Sequence, residues 1–224
     1  MLKHNRAIIF DLDGTLLDTI EDLADSVNTA LKTQGFPIHD VEKYYSFVGN
    51  GINILVQRAL PEQHCDNQTI SNSVKMIREI YSEQWKNKTR PFPGIQSMLD
   101  DLYDQDIPLA VFSNKPDEFT QVMVQEFFPE IEFEAVLGQS AVIPAKPDPA
   151  GALMICEQIR MLPESFLFVG DSDVDMITAA NAGMIPIGVS WGFRSTQELK
   201  DNGAYAVIDQ PAELLDFVTK AGAE

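Results

Sequence analysis

Two carboxylates stand one residue apart in the stretch AIIFDLDGTLL, residues 7–17, where a four-residue apolar run meets Asp11 and Asp13. Like charges that close repel one another. A divalent cation between them removes the repulsion, and Mg²⁺ favours one or two carboxylates together with phosphate and water. An Asp is ionised at neutral pH, its ordinary pKa being about 3.9, and can attack without a base to activate it. Alternate residues of an extended backbone face one side, so Asp11 and Asp13 can meet the same group, one as nucleophile and one as acid. Gly14 and Thr15 follow, and their backbone N–H groups could face an anion. In isolation the same residues also fit an acidic turn after a strand.

Three later stretches carry matching chemistry. In VFSNKP, residues 111–116, an apolar run ends in Ser113 and Asn114, followed by Lys115. A hydroxyl and an amide there can donate to a phosphate oxygen, although they also suit the cap of a following helix. In AKPDP, residues 145–149, Lys146 precedes a proline, which favours extended backbone. It offers a point charge to phosphate. A helix start is a poor place for a cation, which counts against an ordinary surface lysine. In FLFVGDSDVD, residues 166–175, a buried-looking strand again runs into acid. Asp171 is a candidate metal ligand. If a helix starts at Ser172, Asp175 points back near Asp171 and either ligates or orients Lys146. Asp173 fits an acidic first turn.

The elements that must position these residues are legible as apolar runs. Strand-length runs lie at 7–10, 109–112, 135–137, 166–169, 186–189 and 206–208. Helical periodicity lies between most of them. Residues 116–127 place Phe119, Val122, Met123 and Phe127 on one face, and 152–161 form another helix. Strands alternating with helices predict a parallel sheet covered on both faces, with ligands at the carboxyl ends of strands. Residues 18–89 break the alternation with helix signals alone. Ile20, Leu23, Ala24, Val27, Ala30 and Leu31 share a face behind a Thr19 cap with Asp22 three residues on. Ile54, Leu55 and Leu60 suggest a second helix. Residues 70–86 suggest a third, carrying Val74, Ile77, Ile80, Tyr81 and Trp85. RPFPG, residues 90–94, ends the region. An all-helical insert after the first strand is expected, joined at 15–18 and 88–94.

The bulk composition narrows the classes. The chain has 224 residues, enough for one domain or a core with a modest insert, and 45% are apolar, so a packed core is expected. The net charge is −18, which argues against nucleic acid and anionic membrane as partners, since both need a basic footprint. Two cysteines, Cys65 and Cys156, are too few for a disulfide framework and read as free thiols. The start of the chain meets only four apolar residues before Asp11, and no run nears a membrane span, so a cytoplasmic protein is expected. His4, His39 and His64 form no ligand spacing, and no P-loop, HExxH or dinucleotide fingerprint occurs.

Taken together and in order, FDLDGTLLDT, Ser113-Asn114, Lys146-Pro147 and GDSDVD resemble the four motifs of the haloacid dehalogenase superfamily with a helical cap. The resemblance covers essentially the whole chain. It implies a Rossmann-like α/β core from 1–17 and 90–224 and an inserted cap from 18–89. It implies that Asp11 attacks phosphorus and that Asp13 protonates the leaving oxygen and then activates water. It implies Mg²⁺ held by Asp11, the Asp13 backbone carbonyl and Asp171, with phosphoryl oxygens held by Ser113 and Lys146. Thr15 and Asn114 are expected at the substrate with them. Members that dehalogenate or cleave phosphonates lack the second acid, so Asp13 favours phosphoryl transfer from oxygen. Gly49-Asn50-Gly51 followed by Arg58 resembles the cap of phosphoglycolate phosphatases, and Gly49 and Asn50 are expected to face the substrate, a small phosphorylated metabolite. Trp191-Gly192-Phe193-Arg194 departs from the glycine–tyrosine loop of that group. A sugar phosphomutase of the same fold remains an alternative, as does a receiver-like domain phosphorylated on Asp, which the insert counts against. Neither monomer nor dimer follows from the sequence.

Overall fold

The computed structural model describes residues 6–219. His4 lies outside them. The first strand, β1, is Ala7–Phe10, and two-residue strands β2 (Leu17–Asp18) and β3 (Arg90–Pro91) flank a long helical stretch. The later strands are β4 (Leu109–Pro116), β5 (Ala135–Gln139), β6 (Phe166–Gly170), β7 (Ile185–Val189) and β8 (Ala206–Ile208). Six of them form one sheet in the order β5-β4-β1-β6-β7-β8, every pair parallel. The chain leaves β1 toward β4 and β5, then returns to the other side of β1 as β6. That reversal of direction makes the carboxyl end of β1 the switch point where open parallel sheets bind ligands.

Period-two alternation divides the core. Ile8 and Phe10 face a cluster with Met98 and Leu99 of α5 (Ile95–Asp104) and Met123 and Val124 of α6 (Asp117–Phe127). Ala7 and Ile9 face the other side, against Ala152, Ile155 and Cys156 of α7 (Ala150–Ile159) and Ala179 and Ala182 of α8 (Asp173–Ala182). The short helices α9 (Thr196–Asp201) and α10 (Leu215–Thr219) close the far edge. Cys65 and Cys156 are both free thiols. No helix among the described residues is long and apolar enough to cross a membrane.

Between β2 and β3 lie four α-helices: α1 (Ile20–Thr33), α2 (Val41–Phe47), α3 (Ile52–Ala59) and α4 (Asn67–Gln84). They share a separate apolar cluster built on Leu23, Val27, Tyr44, Leu55, Ile77 and Tyr81. The six residues expected on one face of α1 are all buried. Helix α2 carries no signal long enough to be read from the sequence; its seven residues bury Tyr44 and Phe47. Helix α4 begins three residues before the expected start because Asp66 caps it, accepting from the Gln68 and Thr69 backbone N–H groups at 3.0 Å each.

Several local expectations are overturned. Thr19 occupies the N-cap of α1 but makes no capping hydrogen bond, and its hydroxyl is buried without a partner. Asp22 reaches across to the returning chain instead. Its carboxylate accepts from the Lys88 N–H at 2.9 Å, the Thr89 N–H at 2.8 Å and the Thr89 hydroxyl at 2.9 Å. Val122, expected on the apolar face of α6, is 47% exposed, while Phe119 and Met123 of the same face are buried. Strand β4 runs four residues past its expected end. Its pairing with β5 breaks after Phe112 and resumes at Pro116, opposite Gln139, so Ser113, Asn114 and Lys115 lie on extended backbone inside an irregularity.

Candidate active site

The ends of β1, β4 and β6 converge on one cavity under the helical insert. Asp11 follows β1, Ser113 lies in β4, Asp171 follows β6, and each is at most 8% exposed. Lys146 reaches in from the loop before α7. Its Nζ lies 2.8 Å from Asp11 Oδ1 and 2.6 Å from Asp175 Oδ1. Asp175 is fully buried, and its second oxygen accepts from the Ser172 N–H at 3.1 Å and hydroxyl at 2.6 Å, closing a capping box on α8. Asp175 therefore orients Lys146 and caps the helix at once.

Asp171 is held from three sides. Its Oδ1 accepts from the Thr15 hydroxyl at 3.3 Å, and its Oδ2 accepts from the Phe193 N–H at 2.7 Å. A side chain at Gly14, whose φ is +85°, or at Gly192 would collide with the Asp171 carboxyl, so both positions need glycine. Thr15 is thus placed against Asp171. The Gly14 and Thr15 N–H groups, expected to face an anion, close a turn inward instead, onto Leu17 O at 2.9 Å and Leu12 O at 3.3 Å.

The buried charges do not balance within the protein. Burial pushes the Asp11 carboxyl up to about 7 against the pull of Lys146, and the Asp175 charge adds to the rise. Burial also raises Asp171 well above the carboxylate range, reinforced by the charges of Asp175 and Asp11. Oxygens of Asp11, Asp171 and Asp175 lie within 4.8 Å of one another. Asp11 Oδ1 is buried and meets Lys146 as an ion pair at 2.8 Å, with no further donor on it. An unsatisfied oxygen among three crowded carboxylates is the donor set a hard divalent cation takes. The Asp13 carboxylate is not in that cluster and turns the other way.

Asp13 faces Lys115. The Lys115 Nζ donates to Asp13 Oδ1 at 2.9 Å and Oδ2 at 3.0 Å and lies 4.7 Å from the centre of the Tyr81 ring. Burial disfavours the ammonium, but Asp13 and Tyr81 outweigh it and hold its pKa raised. Sequence reasoning assigned Lys115 no role. The signal was present, because Ser113 and Lys115 alternate onto one face of an extended strand.

The remaining expected residues divide. The Ser113 hydroxyl lines the cavity. Asn114 donates its two amide hydrogens to Gly49 O at 2.9 Å and Lys146 O at 3.0 Å and accepts from the Lys146 N–H at 2.7 Å. It acts here as a tie between insert and sheet rather than as a free donor. Gly49 lines the cavity, whereas Asn50 lies on an outer cleft with Tyr45, Arg58 and Arg194. The departing loop also has a place: the Trp191 Nε1–H donates to Thr15 O at 3.0 Å, and Arg194 donates to the Tyr45 and Val48 carbonyls of the insert.

Comparison with known proteins gives a consistent set of relatives. Residues 8–189 match the family model described as haloacid dehalogenase-like hydrolase. Phosphoglycolate phosphatase from Psychrobacter arcticus is 34% identical over 96% of both chains. That from Mannheimia succiniciproducens is 32% identical over 97% of this chain and 100% of its own. Among solved structures, a predicted phosphoglycolate phosphatase from Haemophilus somnus 129PT superposes with a TM-score of 0.88 at 30% identity, covering 95% of this chain and 97% of that one.

Proposed function

The chain belongs to the haloacid dehalogenase-like hydrolase family and is a phosphatase, and from that premise we propose that it hydrolyses small phosphate monoesters, phosphoglycolate first, with Mg²⁺ through an aspartyl-phosphate. Residues 1–17 and 90–224 form the catalytic core in this reading, and 18–89 form the cap. The observation that carries it is the convergence of Asp11, Ser113 and Asp171 from three separated segments on one cavity, with Lys146 paired to Asp11 at 2.8 Å behind them. The substrate choice rests on the names of the relatives.

In this mechanism an Asp11 carboxylate oxygen attacks phosphorus while Lys146 and Ser113 hold the phosphoryl oxygens. The ester P–O bond breaks, and protonated Asp13 gives its proton to the leaving oxygen. Asp13, now a carboxylate, takes a proton from water as that water attacks the aspartyl-phosphate. Asp11 and inorganic phosphate are released. Asp11, Asp171 and the Asp13 backbone carbonyl would hold Mg²⁺, with Asp175 beside them, and the ion would neutralise charge on the transferring phosphoryl group. Closure of the cap keeps bulk water from the reacting group. Monoesters hydrolyse so slowly unaided that enzymes reach accelerations of about 10²¹, so concentrated charge at the phosphoryl end is what the chemistry demands.

Phosphate release from phosphoglycolate and a panel of other small monoesters, with Mg²⁺ or EDTA, tests the reading. Mg²⁺-dependent release led by phosphoglycolate is expected. A sugar phosphate that is isomerised with little release would favour the mutase instead, and full activity in EDTA would remove the metal.

A further inference from the structure

Beyond the phosphoryl end the cavity changes character. Leu23, Leu55, Ile77 and Phe119 line it with hydrocarbon. Three cationic side chains also line it: Arg78, Lys115 and Arg194. Arg78 is half exposed and paired with Glu118, and Arg194 is bound to the Tyr45 and Val48 carbonyls. Lys115 differs from both, with a side chain only 4% exposed. A buried ammonium is costly to keep, and among the described residues Asp13 is the acid that pairs with it.

We propose that Lys115 is the receptor for a carboxylate on the substrate, so that the enzyme selects short phosphorylated acids over monoesters with neutral tails. This rests on the phosphatase reading above and adds the chemistry that reads the tail. Asp13 serves the ester oxygen in that reading, and Lys115 touches Asp13 at 2.9 Å. The donor for the leaving oxygen and the receptor for the tail are therefore neighbours. A substrate reaches both only if its anion lies one or two carbons from the ester oxygen, as in phosphoglycolate. An ammonium carries three hydrogens: Asp13 takes two, and the Tyr81 ring lies 4.7 Å from Nζ, so a substrate carboxylate would compete with Tyr81 for the third. The hydrocarbon walls strengthen the attraction, and of the three cations lining the cavity Lys115 is the one paired with Asp13. A neutral tail there would leave the cation without its second anion.

The test compares phosphoglycolate with ethyl phosphate, which replaces the carboxylate by a methyl group at the same position. Both are assayed with the full chain and Mg²⁺. The wild type should prefer phosphoglycolate in kcat/KM by about 30-fold or more, the range of a charge-assisted hydrogen bond. Lys115→Met should erase most of that preference, chiefly through KM for phosphoglycolate, and Lys115→Arg should retain much of it. A wild type that turns over both esters equally overturns the proposal, whatever the variants do. An equal fall for both substrates in Lys115→Met also overturns it, since Lys115 would then act only by positioning Asp13. Release of phosphate from neither ester by the wild type would instead defeat the substrate reading on which the proposal stands.

Discussion

The wall of the cavity built by the sheet carries Asp11, Ser113, Asp171 and, just behind them, Lys146 and Asp175. The wall built by the helical insert carries Leu23, Leu55, Ile77 and Tyr81. The first wall concentrates charge that is paired, buried and close to unstable. The second is mostly hydrocarbon, with Arg78 its one cation among the described residues. Lys115 sits on the seam, bonded to Asp13 of the core and stacked on Tyr81 of the insert. The difference separates two tasks. The reaction is the same for any monoester and needs fixed charges at the sheet ends, whereas recognition of the tail falls to residues of the insert and the seam.

The sharpest way to break the comparison is at the nucleophile. Asp11→Asn should lower phosphate release at least about 10³-fold, measured as kcat on phosphoglycolate, while the far-UV circular dichroism stays unchanged. It should also change the pH dependence of melting in EDTA. The folded-state pKa of Asp11 is raised from 3.8 to about 7, so the folded protein holds its proton longer than the unfolded chain. The associated stability is present below 3.8 and is lost as pH rises toward 7. The variant should lose that slope, melting increasingly above the wild type between pH 5 and 8, and Mg²⁺ should raise the wild-type midpoint more at pH 7.5 than at pH 5. A parallel pair of melting curves in EDTA would show that Asp11 is not strained by burial.

Next comes the cation that holds the charged wall together. Lys146→Met strands Asp11 and Asp175 without their partner and should cost about 3–5 kcal/mol in urea unfolding. A loss under 1 kcal/mol would mean that the carboxylates relax without it. The smallest effect is expected where the two walls join. Strands β2 and β3 pair antiparallel, Leu17 with Pro91 and Asp18 with Arg90, and Asp22 binds the returning linker with its carboxylate. Asp22→Ala leaves two backbone N–H groups unsatisfied and should cost about 1–3 kcal/mol. It should also speed tryptic cleavage after Lys88, and unchanged cleavage would show that the ribbon alone fixes the hinge.

The six strands of the parallel sheet were readable because each is a short apolar run, and burial of both faces leaves that mark, whereas the two-residue strands β2 and β3 carry no such run and were not. Helix α1 was readable because its six apolar residues repeat at helical spacing. Helix α2 was not, since seven residues hold too few turns to show a period. Val122 fits the apolar face of α6 by spacing yet lies in solvent, because neighbouring elements and not periodicity set the final rotation. Asp22 had the spacing of a capping partner for Thr19 and found Lys88 and Thr89 instead, 66 and 67 residues away.

Local sequence thus determined where the strands lie and that acids, a hydroxyl and a lysine follow their apolar runs. Periodicity and turn chemistry act over a few residues, and a single segment records them. The pairings were decided only by tertiary structure. Asp13 and Lys115 are 102 residues apart, and Lys146 and Asp175 are 29 apart. No spacing rule joins such residues. The order β4-β1-β6 does so, by setting three carboxyl ends side by side, and the insert then closes over them, leaving Lys115 bound to Asp13 at the boundary between the two walls.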